Sequence, residues 1–260
     1  METAPPTVAP PPRRSGRVRN LLSYARSLLF TNLLIYFCTA VCGTISLLGS
    51  LFDSQGRWQH ACTRVWAWLI LKISGIRVRV EGLEHANPRL TAVYCVNHQS
   101  AMDIPVLYRS LPVQFRFVAK RSLFHVPFMG WHMRRSGHIP LDRDRPQEAM
   151  RSMKKVAQEI RGGKSVLLFP EGHRSRHGQL LPFKRGSFYL AILAGVPIVP
   201  ITVNGTSYVL KPDTYHVRSG QTEIIVHPPI ATQALTLHDV DALSQKVRDA
   251  IASRFVGAEE

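Results

Sequence analysis

The segment at residues 27–52 constrains this chain more than any other, because it carries no charged side chain and no histidine. Its length exceeds the roughly 20 apolar residues that a helix needs to cross the hydrocarbon core of a bilayer. A signal peptide is a competing interpretation, but no small-residue cleavage site with a polar mature start follows the run. A buried core helix is the simplest alternative, and the length of the run counts against it. We therefore expect a membrane helix.

The flanking residues indicate how this helix meets the membrane. Residues 1–12 are rich in proline, and we expect residues 1–26 to form a disordered N-terminus. Residues 13–26 contain arginines and no acid: Arg13, Arg14, Arg17, Arg19 and Arg26. Arginines beside a membrane helix stay in the cytoplasm and meet anionic headgroups. The pattern predicts a protein of the cell membrane, integral or monotopic, with its active site on the cytoplasmic face.

A second apolar segment, residues 58–76, mixes tryptophans with His60, Arg64 and Lys72. Tryptophan prefers headgroup depth and long cationic side chains extend toward water, so this segment suits the membrane interface. We expect residues 27–76 to form a membrane-associated helix pair. Two full spans remain the alternative.

The overall charge points to anionic partners. The chain has 33 Lys and Arg against 17 Asp and Glu, a formal net charge of +16. Nucleic acid, anionic lipid and phosphorylated substrates all fit such a charge. The sequence lacks a recognised nucleic-acid module, and the membrane segment favours lipid, so we expect membrane lipids and no nucleic acid as partners. The cysteines Cys38, Cys42, Cys62 and Cys95 form no CxxC pair and predict no disulfide framework.

Residues 77–260 alternate between strand and helix patterns, which predicts an α/β domain with a mixed, mostly parallel sheet flanked by helices. Strands are expected at 77–83, 90–96, 115–119, 165–169, 197–203 and 222–226. Helices are expected at 101–109, 146–161, 186–194 and 239–255. Polar motifs follow several of these strands, and ligands of open α/β sheets bind at the carboxyl ends of strands.

The first motif places His98 and Asp103 between a strand and a helix. An imidazole can accept a proton from a hydroxyl near neutral pH, and a carboxylate on its other nitrogen fixes the tautomer. A helix cap beside an incidental histidine is the alternative for this stretch alone. Ser100 has no GxSxG elbow around it, and we interpret it as a cap rather than a nucleophile.

Cationic side chains follow three further strand-like runs. Lys120 and Arg143 are placed to point into the strand-end crevice, where an arginine fork suits phosphate oxygens. In the stretch FPEGHRS, Gly172 allows a close backbone approach, Arg174 can grip a phosphate, and Glu171 can hold the arginine or bond a substrate hydroxyl. The histidines at 125, 132, 138 and 173 lack metal-ligand spacing, so we expect no metal site.

Together the stretches NHQSAMD (97–103), GHIPLDR (137–143), FPEGHRS (169–175) and VPIVPITV (196–203) resemble, in order and spacing, the four blocks of the glycerolipid acyltransferase family. The likeness covers about residues 77 to 210, and it is best for members that act on 1-acylglycerol 3-phosphate. It implies that the chain transfers a fatty acyl group from acyl-CoA or acyl-carrier protein to the sn-2 hydroxyl of that lysolipid, giving phosphatidic acid. No cofactor beyond this co-substrate is implied.

The resemblance also implies residue roles. His98 would be the general base and Asp103 its orienting acid, with no acyl-enzyme. Lys120, Arg143, Glu171, Gly172 and Arg174 would bind the glycerol phosphate. The fourth block, with its prolines, would belong to the acyl-donor side.

One departure affects the acceptor. The third block of the family commonly has threonine where this chain has His173. Another lysolipid, such as a lyso-ornithine lipid or a different lysophospholipid, is therefore an alternative acceptor. A non-catalytic protein that binds anionic membranes is a second alternative.

Overall fold

The computed structural model describes residues 17–53, 55–141 and 146–257. Within them the chain forms a seven-stranded sheet with helices on both faces. The strands are β1 Ile76–Glu81, β2 Val93–Val96, β3 Arg116–Lys120, β4 Ile139–Leu141, β5 Val166–Leu168, β6 Ile198–Asn204 and β7 Gly220–Val226. The α-helices are α1 Arg17–Arg26, α2 Asn32–Gly49, α3 Arg57–Ser74, α4 Asp103–Ser110, α5 Met129–Arg135, α6 Pro146–Arg161, α7 Gly186–Ala194, α8 Thr206–Val209 and α9 Val240–Ala252.

The sheet has the order β1-β7-β6-β2-β5-β3-β4. Five neighbouring strands, from β6 to β4, are parallel, whereas β7 is antiparallel to β6 and β1 is parallel to β7. The predicted mixed, mostly parallel α/β sheet is confirmed. Its parallel part aligns the carboxyl ends of β2, β5, β3 and β4 along one edge.

Each face of the sheet is covered by a separate hydrophobic core. Successive residues of a strand point to opposite faces, so Tyr94 and Val96 contribute to the core on the α3 and α4 side. Val93 and Cys95 contribute to the core formed with α6, α7 and α9. Burial on both faces explains why the central strands are continuously apolar rather than alternating.

The expected strands and helices are all present, with ends that shift by a few residues. The sequence patterns missed β4, α5 and α8. β4 has three residues, α5 has seven and α8 has four, so none of them is long enough to establish a period.

The N-terminal helix starts earlier than the sequence suggested. We expected disorder to residue 26, but α1 begins at Arg17 and continues into α2 through a π-helical turn, Ser27–Thr31. Within the described residues, positions 20–49 form one helix that is long and apolar enough to cross a membrane. Only 6% of the most apolar stretch of this helix is buried, so it is not a core helix of the domain.

Helix α3 packs between α2 and the sheet. The indole Nε1 of Trp66 donates to Thr39 Oγ1 of α2 at 3.0 Å. On its other side Ala67, Ile70 and Leu71 are buried in the core beneath the sheet face. The expected pairing of the two segments is therefore present, and α3 contributes directly to the core of the α/β domain.

Two buried histidines make the fold sensitive to acid. Burial, with nearby positive charges, lowers the pKa of His138 to about 3 and that of His227 to about 4. His227 Nε2 bonds Thr202 Oγ1 at 2.8 Å inside the sheet core. As the pH falls below 6.5, the ordinary value, the unfolded chain binds protons at these sites while the folded chain does not. Stability is therefore lost as the pH falls from 6.5 toward 4.

Between pH 7.5 and pH 5 the free energy of unfolding of the parent protein should fall by about 2 kcal/mol more than that of the variant His227→Asn. One histidine contributes about that amount over this interval. Urea unfolding of both proteins in the same detergent at each pH measures the difference. His238→Asn, at an exposed position, is the control and should keep the parental pH dependence. An identical pH dependence in His227→Asn would contradict the assignment.

Candidate active site

The side chains of His98 and Asp103 meet, as the sequence predicted. His98 Nδ1 lies 2.7 Å from Asp103 Oδ2. The loop after β2 folds back over the first residue of α4, because Asp103 Oδ2 also accepts from the backbone N–H groups of Gln99 at 2.8 Å and Ser100 at 3.0 Å. The Thr206 hydroxyl donates to Asp103 Oδ1. A separation of five residues therefore suits a loop that wraps around one buried carboxylate.

These contacts fix how the imidazole can act. A carboxylate can only accept, so Nδ1 donates to it and the lone pair stays on Nε2. His98 Nε2 has no hydrogen-bond partner among the described residues. The His98 ring stacks on Phe169, with ring centroids 3.8 Å apart and planes inclined by 13°. The stacking on Phe169 and the hydrogen bond at Nδ1 fix the orientation of the imidazole, and Nε2 can accept a hydrogen bond from a substrate hydroxyl.

Ser100 is a structural residue of this loop. Its hydroxyl donates to Leu210 O at 2.6 Å and accepts from Met102 N at 3.2 Å. The side chain is buried. These contacts agree with a cap and not with a nucleophile.

Glu171 joins the third block to the first. Its Oε1 accepts from His98 N at 2.7 Å and its Oε2 accepts from Leu181 N at 3.0 Å. Burial raises the pKa of this carboxyl, and the two backbone N–H groups oppose that rise. Ser175 N also donates to His98 O at 2.9 Å. These contacts join Glu171 to the loop that carries His98, and the substrate contact that the resemblance implies for Glu171 stays a prediction.

Gly172 and Lys184 are close neighbours. Gly172 has a φ of +80°, and a Cβ added there would lie 2.7 Å from Lys184 Nζ. Lys184 N also donates to Pro170 O at 2.8 Å. The missing side chain at 172 thus makes room for a lysine over the third block. Lys184 was not predicted, because it does not directly follow a strand.

Arg174 is paired with an acid that the sequence did not indicate. Its Nη2 lies 3.5 Å from Asp213 Oδ1, and Arg176 Nε lies 3.1 Å from Asp213 Oδ2. Arg176 and Asp213 are well exposed and Arg174 is partly exposed, so the pairs contribute little to stability. Ser175, between the arginines, is buried and its hydroxyl has no hydrogen-bond partner within the described ranges. Arg174 is thus a half-exposed cation with an exchangeable partner.

The other two predicted cations, Lys120 and Arg143, belong to neighbouring strands of the sheet or follow them directly. Lys120 is the last residue of β3, and its side chain is exposed. Arg143 follows β4 but lies outside the described residues. Because β2, β5, β3 and β4 are adjacent and parallel, His98, the third block and Lys120 all follow the same edge of the sheet.

The fourth block forms the buried strand β6 and supports the first block. Asn97 Nδ2 donates to Val203 O at 2.9 Å, and Val203 N donates to Asn97 Oδ1 at 2.7 Å. Thr206, just after this strand, holds Asp103. Thr206 was missed because it lies about a hundred residues from the acid it binds, beyond the reach of any spacing argument.

In the part of the chain that the structure describes, no cluster of three or more His, Cys, Asp or Glu side chains is arranged to hold a metal ion. The site described above uses an imidazole, carboxylates and cationic side chains. This set is suited to moving a proton beside a bound anion.

Comparison with known proteins gives consistent matches. A model of the acyltransferase family matches residues 77–204. A 1-acyl-sn-glycerol-3-phosphate acyltransferase from Saccharomyces cerevisiae is 34% identical over 239 residues, which cover 89% of this chain and 77% of the relative. The alpha form from Homo sapiens is 38% identical over 182 residues, covering 70% of this chain and 64% of the relative. The chain spans about half the length of a chloroplastic relative from Arabidopsis thaliana, at 37% identity.

A solved structure has the same fold. The crystal structure of the 1-acyl-sn-glycerophosphate (LPA) acyltransferase PlsC from Thermotoga maritima superposes with a TM-score of 0.74 at 23% sequence identity. The match covers 91% of this chain and 95% of that one. The two chains therefore share their fold over most of their lengths.

Proposed function

This chain belongs to the acyltransferase family that contains the 1-acyl-sn-glycerol-3-phosphate acyltransferases, and we propose that it acylates the sn-2 hydroxyl of 1-acyl-sn-glycerol 3-phosphate to give phosphatidic acid. The donor is a thioester, acyl-CoA or acyl-carrier protein. The observation that carries the proposal is the His98–Asp103 pair with an open Nε2, at the strand edge that also bears the cationic residues.

We propose direct acyl transfer between the two substrates. His98 Nε2 accepts the proton of the acceptor hydroxyl while the hydroxyl oxygen bonds to the thioester carbonyl carbon. Asp103 stabilises the imidazolium that forms. The carbon–sulfur bond then breaks, and the leaving thiolate takes the proton from Nε2. A thioester is already activated, so no further cofactor is required in this scheme.

We propose that the third block and its neighbours bind the phosphate. Arg174 offers a planar fork of donors to phosphate oxygens, and Lys184 adds a second cation above Gly172. A phosphate dianion would displace Asp213 from Arg174, since that pair is exposed and weak. Lys120 and Arg143 complete the proposed set.

We further propose that the protein is monotopic. The long N-terminal helix contacts the α/β domain near both of its ends: Ser27 Oγ donates to Tyr215 O at 2.9 Å, and Ser46 Oγ lies 3.2 Å from His132 Nδ1. These contacts are about 28 Å apart along the helix at 1.5 Å per residue. A helix that is bound to the domain near both of its ends cannot cross the bilayer without taking the domain with it. It therefore lies in one leaflet, and the arginines near its start favour the cytoplasmic one.

An exposed His173 favours a second candidate acceptor. The imidazole replaces the hydroxyl that is common at this point of the third block, and its Nδ1 lies 3.4 Å from Arg174 O. A different lysolipid headgroup beside Arg174 would be compatible with this change.

Product analysis tests the proposed reaction. Purified protein is incubated with lysophosphatidic acid, other lysophospholipids and a lyso-ornithine lipid, each with acyl-CoA and with acyl-carrier protein, and the lipids are identified by mass. We expect phosphatidic acid from lysophosphatidic acid with at least one donor. Acylation of a different lysolipid alone would favour the alternative acceptor, and no product with any pair would support a non-catalytic membrane-binding protein.

A further inference from the structure

An exposed apolar segment lies outside the site described above, between β3 and β4. Five large apolar side chains within residues 123–131 are exposed: Leu123, Val126, Phe128, Met129 and Trp131. Phe128 is 68% exposed and Trp131 is 52% exposed, and their ring centroids are 5.2 Å apart. Contiguous apolar surface of this kind marks a site of interaction. We refer to residues 123–131 as the aromatic loop.

The backbone holds the aromatic loop in its outward conformation. Phe128 has a φ of +60°, a conformation that is costly for any residue with a side chain. Gly130 N donates to Val126 O at 2.7 Å, and a Cβ at Gly130 would lie 2.2 Å from Phe124 O. The phenyl ring is therefore displayed to the outside by a tight turn that accepts backbone strain.

The aromatic loop continues the apolar surface of the N-terminal helix. His132, next to Trp131, contacts Ser46 of α2. On α2, Ile45 and Leu48 flank Ser46 and are exposed. The two apolar surfaces therefore lie next to each other at this contact.

The charges around the aromatic loop have one sign. Residues 121–141 contain no Asp or Glu. Arg134 and Arg135, in the last turn of α5, are exposed. Aromatic side chains bordered by arginines suit the boundary between acyl chains and anionic headgroups.

We propose that the aromatic loop is a second membrane-contacting surface, which inserts Phe128 and Trp131 into an anionic bilayer beside helix α2. A bilayer fits better than a protein partner, because the same occupant must also cover the exposed apolar length of α2. The loop follows Lys120, so its insertion would bring the carboxyl edge of β3 to the membrane surface. This inference concerns membrane contact and does not depend on which lysolipid is acylated.

The full chain, purified in detergent, is mixed with vesicles of phosphatidylglycerol and phosphatidylcholine, and the bound fraction is measured by flotation. Two variants, Phe128→Gly and Trp131→Ser, are compared with the parent protein. Glycine relieves the positive φ at 128, so Phe128→Gly should fold with an equal or higher melting temperature. We expect each variant to bind vesicles roughly tenfold more weakly, since each loses an aromatic ring that would insert into the bilayer.

Leu90→Ser is the matched control, because Leu90 is exposed but precedes β2, at the opposite edge of the parallel strands. Its vesicle binding should equal that of the parent protein. Parental binding by folded Phe128→Gly and Trp131→Ser would overturn the proposal. The proposal would also be overturned if light scattering showed a dimer for the parent protein and a monomer for the variants, with vesicle binding intact. The aromatic loop would then join two copies of this chain. Loss of acyl transfer in the product analysis, with these binding results unchanged, would count only against the proposed function.

Discussion

Replacement of His98 by alanine is expected to reduce acyl transfer by about 10²–10⁴-fold, the usual contribution of a positioned general base. The expected loss follows from the geometry of one ring, whose Nδ1 is occupied by Asp103 and whose Nε2 is open. The substrate sites would remain, so we expect the loss mainly in kcat and little change in KM. Steady-state kinetics with lysophosphatidic acid and the better of the two donors measures both constants.

Loss of activity must be separated from loss of structure. The imidazole stacks on Phe169, so its removal leaves a small gap, and a thermal melt of His98→Ala should be recorded beside the kinetics. His238→Ala is the matched control, because His238 is also a histidine but is exposed and lies just before α9, away from the site. It should keep kcat within about an order of magnitude of the parent value, since exposed substitutions away from the reacting atoms have small effects. Parental kcat in folded His98→Ala would refute the proposed mechanism.

The parts of this molecule that the sequence predicted are those that local patterns encode. The strand Val93–Val96 and the helix Gly186–Ala194 follow from runs of apolar residues with clear ends. The His98–Asp103 contact is likewise local, because both groups belong to one loop. Spacing along the chain is sufficient wherever the partners are separated by a single turn.

Contacts between distant segments were not predictable in this way. Thr206 reaches Asp103, Lys184 covers Gly172, and Asp213 pairs with Arg174. Thr206 and Asp213 are placed by the sheet, which brings residues after different strands to one edge, whereas Lys184 and Gly172 belong to the same long connection between β5 and α7. Threonine, lysine and aspartate residues carry no mark in the sequence that identifies such a neighbour. The position of Lys120 could be expected because it ends a strand, while Arg143 lies outside the described residues.

The role of Glu171 illustrates the difference between a motif and its contacts. The resemblance placed this acid among the residues that bind the substrate. In the structure its two oxygens accept from the backbone of His98 and of Leu181, which belong to different loops. We propose that Glu171 acts as a positioning residue that fixes the loop carrying the general base.

Replacement of Glu171 by alanine is therefore expected to lower the free energy of unfolding by about 2–4 kcal/mol, because two backbone N–H groups lose their acceptor in a partly buried site. Glutamine keeps the size of the side chain and one carbonyl oxygen, so Glu171→Gln should recover about half of that loss. Urea unfolding in detergent measures both variants. Glu84→Ala, which removes an exposed carboxylate, should leave the unfolding free energy unchanged.

Kinetics of the same variants distinguish positioning from substrate binding. If Glu171 holds the loop of His98, Glu171→Gln should lower kcat at nearly unchanged KM for lysophosphatidic acid, because the phosphate-binding cations remain while the base is less well placed. If Glu171 instead bonds the substrate directly, KM should rise with stability unaltered. A stable Glu171→Gln protein with a raised KM would therefore return Glu171 to the substrate site.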